Sequence, residues 1–120
     1  MLFSGEEKFG KIINIFSIAG LVGYAGSLVY CASKVAVTNL IRELALDYPP
    51  YMINVNAICP GVIKTSITEE FREDSEMRSF LEENTPYLRI GTPEDIAKAA
   101  VFLASSESDF LNGENLVVNG

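Results

Sequence analysis

The 120-residue sequence has no histidine, no tryptophan and only two cysteines. Without histidine, these residues can build neither a His-ligated metal site nor a Ser-His-Asp triad. No serine stands three positions before a lysine, which excludes the S-x-x-K arrangement of some acyl-transfer enzymes. Cys31 and Cys59 are isolated, with no C-x-x-C. Two free thiols in a cytoplasmic setting are expected, with a disulfide between them as the alternative. No apolar run reaches the ~18 residues of a membrane span, because Lys34 and Arg42-Glu43 interrupt the longest candidate. Met1-Leu2-Phe3 is followed by Ser4-Gly5-Glu6-Glu7, which lacks the basic and apolar regions of a signal peptide. Positive charge is scarce too. The formal net charge of -7 argues against a nucleic-acid partner.

A hydrophobic content of 48% indicates one globular unit with a modest core. Much of the negative charge is local. Residues 69–83 hold seven acids and two bases (Arg72 and Arg78), a net of -5. Such a run reads as the hydrated face of a helix, and no metal site is expected. There are no internal repeats and no low-complexity linker, so residues 1–120 read as a single unit.

Periodicity places the elements. Residues 11–16 form an almost continuous apolar run, expected to be a buried strand. Ser17 falls just past its C-terminal end, where open α/β sheets place ligands. Residues 18–27 are a small-residue loop. Its Gly20, Gly23 and Gly26 make G-x-x-G-x-x-G, which is not the dinucleotide fingerprint. A helix is expected from about Leu28 to Tyr48, after an N-cap at Ser27 and before Pro49-Pro50. Val35, Val37, Leu40, Ile41, Leu44 and Leu46 cannot share one stripe, so this helix should be covered on several sides. Met52–Ile58 reads as a second strand, followed by a sharp turn at Cys59-Pro60-Gly61. Residues 66–88 are polar, acidic and irregular or helical. Thr92 is then an N-cap, with Pro93 at N1 and Glu94 and Asp95 complementing the helix dipole. Residues 115–119 form a last strand.

The chemistry concentrates at Tyr30 and Lys34. At i, i+4 on a helix they share one face, so an ammonium can lie close to a phenol. A free tyrosine titrates near ~10 and is a poor base at neutral pH. One positive charge about 4 Å away, at an effective dielectric near 20, contributes roughly 4 kcal/mol, enough to favour a phenolate near neutrality. Tyr30 with Lys34 therefore reads as an acid/base pair. Ser17, thirteen residues upstream of Tyr30, adds a hydroxyl able to hydrogen-bond a reacting oxygen.

Taken together, the motifs are Ser17-Ile-Ala-Gly20, Tyr30-Cys-Ala-Ser-Lys34, Asn56-Ala-Ile-Cys-Pro60-Gly61-Val-Ile63-Lys-Thr65, Arg89-Ile-Gly-Thr-Pro-Glu94-Asp-Ile-Ala97, Asn112-Gly113 and Val117-Val118-Asn119-Gly120. In order and spacing they resemble the C-terminal half of the short-chain dehydrogenase/reductases, in their ordinary, non-extended branch. The Asn56-Ala-x-x-Pro60-Gly61 run speaks against the extended, epimerase-like branch, which shares the Tyr-Lys pair.

The resemblance implies the C-terminal half of a doubly wound, parallel-sheet, Rossmann-like α/β fold, with three strands and the intervening helices. It implies hydride transfer between NAD or NADP and an alcohol/carbonyl pair of a small-molecule substrate. Tyr30 would be the general acid/base. Lys34 would assist it and hold the nicotinamide ribose, and Ser17 would orient the substrate oxygen. The turn at Pro60 and Gly61, the Ile63 backbone and the Thr65 hydroxyl would hold the nicotinamide end of the cofactor. The 66–88 segment would be a lid, and the 28–48 helix a homo-oligomer interface. Three family features are not in this text: the T-G-x-x-x-G-x-G turn, the N-N-A-G segment and a helical catalytic Asn. The 120 residues alone are therefore expected to be inactive, to bind neither dinucleotide appreciably and to self-associate or fold poorly. The alternative to an enzyme is a catalytically silent fragment or a subunit-interaction module.

Overall fold

The computed structural model describes residues 9–21, 25–47 and 52–120, apart from the side chain of Phe71. Three parallel strands form one sheet in the order β1 (Gly10–Ile15), β2 (Ile53–Pro60), β3 (Asn115–Val118). In register, Ile12 lies opposite Val55 and Asn14 opposite Ala57, while Ile58 lies opposite Leu116. Parallel neighbours need crossovers. Helix α1 (Leu28–Asp47) makes the first one. The second is made by α2 (Glu69–Glu73), α3 (Ser75–Glu83) and α4 (Pro93–Ala104). This is the expected α/β half-fold.

Strand β2 is the centre. Alternation puts Ile53, Val55 and Ala57 on one face, where they pack on Ile41 and Ala45 of α1. Ile12, Phe16 and Leu44 close the cluster at its margin. Two polar side chains near it are hydrogen-bonded at both ends. Buried Asn56 donates from Nδ2 to the Leu111 carbonyl and accepts from the Glu114 amide. Asn112 accepts from the Val55 amide and donates to the Ala45 carbonyl, tying β2 to α1. Those four bonds steer residues 111–114 into β3, and they explain why amides rather than apolar residues stand there.

Several expectations need correction. Strand β1 is only half-buried, and Ile15 is exposed. It pairs with β2 alone among the described residues, so its apolar run is an edge. Strand β2 runs two residues further than expected, through Cys59 and Pro60. Proline lacks the N–H, yet it is tolerated at a strand end. The ladder continues past it, because the Gly61 amide donates to the Val118 carbonyl at 3.0 Å. The turn therefore begins at Gly61. The last strand stops at Val118, one residue early. Helix α1 is described to Asp47; Tyr48, Pro49 and Pro50 lie outside the described residues, as does Gly23.

The other elements fall where periodicity put them. Helix α1 buries Thr38, Ile41 and Ala45 but exposes Leu28, Val29, Val35, Leu40 and Leu46, so it is apolar on more than one side. The 66–88 segment is a 3-10 turn (Ser66–Thr68) followed by α2 and α3, with Glu69, Glu70, Glu73, Asp74, Glu76 and Glu83 exposed. Pro93 opens α4 behind Thr92. Cys31 and Cys59 are both free thiols. Among the described residues, no helix is long and apolar enough to cross a membrane.

Candidate active site

The C-terminal ends of β1 and β2 converge on one open cavity of about 480 Å³. Its walls include Ser17, Tyr30, Pro60, Gly61, Ile63 and Thr65, which are six of the seven residues singled out from sequence. The remaining wall is Ile15, Phe16, Ile67, Thr68, Pro93 and Ile96. The seventh residue, Lys34, sits one turn along α1, with its ammonium 5.3 Å from the centre of the Tyr30 ring. The ammonium thus lies over the ring face, a cation–π arrangement. Tyr30 itself is half-exposed and lines the cavity.

Ser17 is held by its own neighbourhood. It has extended backbone and caps the short 3-10 turn Ile18–Gly20. Its Oγ accepts from the Ala19 amide at 3.1 Å. With one lone pair so occupied, the hydroxyl proton remains available to donate to a substrate oxygen. The 3-10 turn packs closely on α1. A Cβ on Gly20 would lie 2.9 Å from the Lys34 carbonyl oxygen, so only glycine permits this approach. Close contact there brings the Ser17 loop against the helix that carries Tyr30 and Lys34.

The turn after β2 is pinned on both sides. A Cβ on Gly61 would lie 2.8 Å from Asn119 Cβ and 3.0 Å from Asn119 Cα, so the turn passes β3 at glycine distance. Ile63 and Gly91 form a one-residue parallel bridge. In it the Gly91 amide donates to the Val62 carbonyl at 3.0 Å, and the Lys64 amide donates to the Gly91 carbonyl at 2.9 Å. A parallel bridge of this kind turns the N–H and C=O of Ile63 itself away from Gly91. The Ile63 carbonyl takes the Thr68 hydroxyl at 2.6 Å. Among the described residues its N–H has no partner. An unspent backbone donor beside the cavity fits an amide carbonyl such as that of a nicotinamide carboxamide.

Arg89 and Asp95 line a neighbouring hollow rather than this cavity, and they pair with each other. The guanidinium donates Nη1 to Asp95 Oδ2 at 2.7 Å and Nη2 to Oδ1 at 3.0 Å. Asp95 Oδ2 also accepts from the Thr92 amide at 2.8 Å. The Arg89 hydrogen bonds first, and the Thr92 amide second, hold the Asp95 carboxyl well below the usual carboxylate range. Burial, and then Glu114, push the Cys59 thiol up, so it is a poor nucleophile.

Sequence reasoning had missed Thr68, Ile67, Pro93 and Ile96 as wall residues. For Thr68 a signal was present, since Thr65-x-x-Thr68 has the spacing of a capping box. Ile96 was legible only as a helix position.

A family model described as "Enoyl-(Acyl carrier protein) reductase" matches residues 3–120. The chain is 42% identical over 115 residues to L-rhamnose-1-dehydrogenase of Scheffersomyces stipitis, covering 96% of this chain and 45% of that protein. It is 37% identical over 115 residues to 3-oxoacyl-[acyl-carrier-protein] reductase FabG of Rickettsia prowazekii, covering 96% and 47%. The crystal structure of a gluconate 5-dehydrogenase from Burkholderia cenocepacia, in complex with NADP and tartrate, superposes with a TM-score of 0.89 at 35% identity. That match covers 94% of this chain and 44% of that one. The chain spans about half the length of the curated relatives it matches.

Proposed function

The chain belongs to the short-chain dehydrogenase/reductases, and from that premise we propose that it carries the catalytic residues of an NAD- or NADP-dependent oxidoreductase interconverting an alcohol and a carbonyl. One observation supports this above the others. Ser17 and Tyr30, from separate elements, share one cavity with the Ile63–Thr65 turn, and Lys34 lies over the Tyr30 ring.

A bound nicotinamide cofactor supplies the hydride in reduction and accepts it in oxidation. This chain's residues handle the proton and the placement. Tyr30 gives its hydroxyl proton to the substrate oxygen in reduction and takes it back in oxidation. The Ser17 O–H donates a hydrogen bond to the same oxygen, polarising a carbonyl or aligning an alcohol. Lys34 places a positive charge over the Tyr30 ring and would hold the ribose hydroxyls of the cofactor. The Ile63 N–H and Thr65 hydroxyl would hold the carboxamide or phosphates, with Pro60 and Gly61 beside the nicotinamide end.

The substrate is a small molecule, and the protein works as a homo-oligomer. The exposed Leu28, Val29, Val35, Leu40 and Leu46 make α1 the contact between copies. The two free thiols fit a cytoplasmic setting.

Tyr30→Phe tests the assignment in the intact protein. It should leave the fold and the cofactor affinity within a few-fold of wild type, and lower turnover by roughly 10²–10⁴. Stopped-flow or steady-state reduction of a panel of ketones and aldehydes reads this out. Near-normal turnover in a folded Tyr30→Phe protein would overturn the acid/base role.

A further inference from the structure

Thr68 stands at the junction of the Ile63–Thr65 turn and helix α2, and it lines the same cavity. Its Oγ accepts from the Thr65 amide at 3.0 Å. It lies 2.6 Å from the Ile63 carbonyl and 3.1 Å from the Thr65 carbonyl. A hydroxyl has one proton, and the shorter contact takes it. One side chain therefore ties an amide and a carbonyl within a single turn.

The consequence is visible peptide by peptide. The Val62–Ile63 peptide is held at its carbonyl by the Gly91 amide. The Ile63–Lys64 peptide is held at both ends, by the Gly91 carbonyl and by Thr68. The Lys64–Thr65 peptide is held at its amide by Thr68. Thr68 supplies two of these four anchors, and the N–H of the cavity-lining Ile63 is left without a partner among the described residues. A second tie runs from the lid. Arg72, one turn into α2, donates Nη2 to the Thr65 carbonyl at 3.2 Å.

We propose that Thr68 is a positioning residue for cofactor binding: its hydroxyl fixes the Ile63 and Thr65 peptides in the geometry that receives the nicotinamide end, and it links that turn to helices α2 and α3. The inference rests on the nicotinamide-dependent reading above. Thr68 touches no reacting atom. It acts by keeping the Ile63 donor aimed, so that binding does not have to order the turn. Arg72 makes the link to the lid two-pointed, so that movement of α2 reaches Thr65.

The test uses the intact protein with Thr68→Val, which keeps the shape and removes the hydroxyl, and Thr68→Ser, which restores it. Titration with NADH and NADPH should give a Kd raised roughly tenfold in Thr68→Val, the scale of one lost hydrogen bond. Thr68→Ser should return it to within about threefold of wild type. Amide hydrogen exchange at Thr65 should be faster in Thr68→Val and normal in Thr68→Ser. Wild-type affinity in Thr68→Val, with faster Thr65 exchange, would show a staple that holds the fold alone and would overturn the proposal. If Thr68→Val fails to fold, Arg72→Met decides, since it cuts the exposed tie only. It should raise the Kd by about threefold, and an unchanged Kd overturns the proposal. Tyr30→Phe is the control that separates the two readings. A wild-type protein that binds neither dinucleotide sinks the proposed function and this inference together. Binding that is retained in Tyr30→Phe but insensitive to Thr68 sinks the inference alone.

Discussion

At Gly20 the loop carrying Ser17 presses on α1 so closely that a side chain has no room. A Cβ there would meet Thr38 Oγ as well as the Lys34 carbonyl, and Thr38 Oγ already donates to that carbonyl at 2.9 Å. Gly20→Ala should therefore separate loop from helix, costing about 1–3 kcal/mol as an overpacked contact. Turnover should fall more than cofactor affinity, because Ser17 moves relative to Tyr30 while the Ile63–Thr65 turn stays put. Urea denaturation and steady-state kinetics check this. Unchanged stability and turnover would mean that the loop yields freely. The residue's chemistry hides its role: in the sequence Gly20 is one of several loop glycines, and only its neighbour in space distinguishes it. Ser17, Tyr30 and Lys34 are different. Their spacing and residue types were readable, because i, i+4 geometry on a helix is local.

Helix α4 begins with a device that answers to pH. Asp95 accepts from Arg89 and from the Thr92 amide, and its carboxyl is held below the usual range. A carboxylate whose folded value is depressed contributes stability above its unfolded value of ~3.9, and loses it as pH falls through the folded value. Asp95→Asn should thus destabilise the protein at pH 7. The gap between variant and wild type should narrow below about pH 4. Thermal melts at pH 7 and pH 3 measure it, and a gap that stays constant would show that the ion pair contributes nothing of its own. The N-cap at Thr92 and Pro93 at N1 were legible, since capping signals span only three or four residues. The bidentate pairing of Asp95 with Arg89 was not, because it depends on how the 84–91 segment folds back. Strand β2 gives a similar lesson. Pro60 looked like the start of a turn, yet the partner strand β3 carries the ladder past it.

At the scale of the molecule, β1 is an edge among the described residues, with half-buried Ile12 and Ile13 and exposed Ile15. Exposed apolar strand edges recruit other strands. The apolar side of α1 adds a second adhesive surface. We expect the 120 residues to self-associate. Sedimentation velocity tests this, and a stable monomer would refute the expectation.

The sequence by itself determined the class of elements, their order and the candidate residues of the proposed acid/base pair. Those features are written in local spacing: apolar runs, a capped helix start, Tyr and Lys one turn apart. The tertiary structure alone decided which strand is central. It also decided which glycines are contact points and which backbone donor is left unspent at the cavity. Each of these is set by partners far along the chain, such as Gly61 against Asn119 and Ile63 against Gly91. Hydrogen-bond direction and close approach depend on where those partners arrive, and no local pattern encodes that.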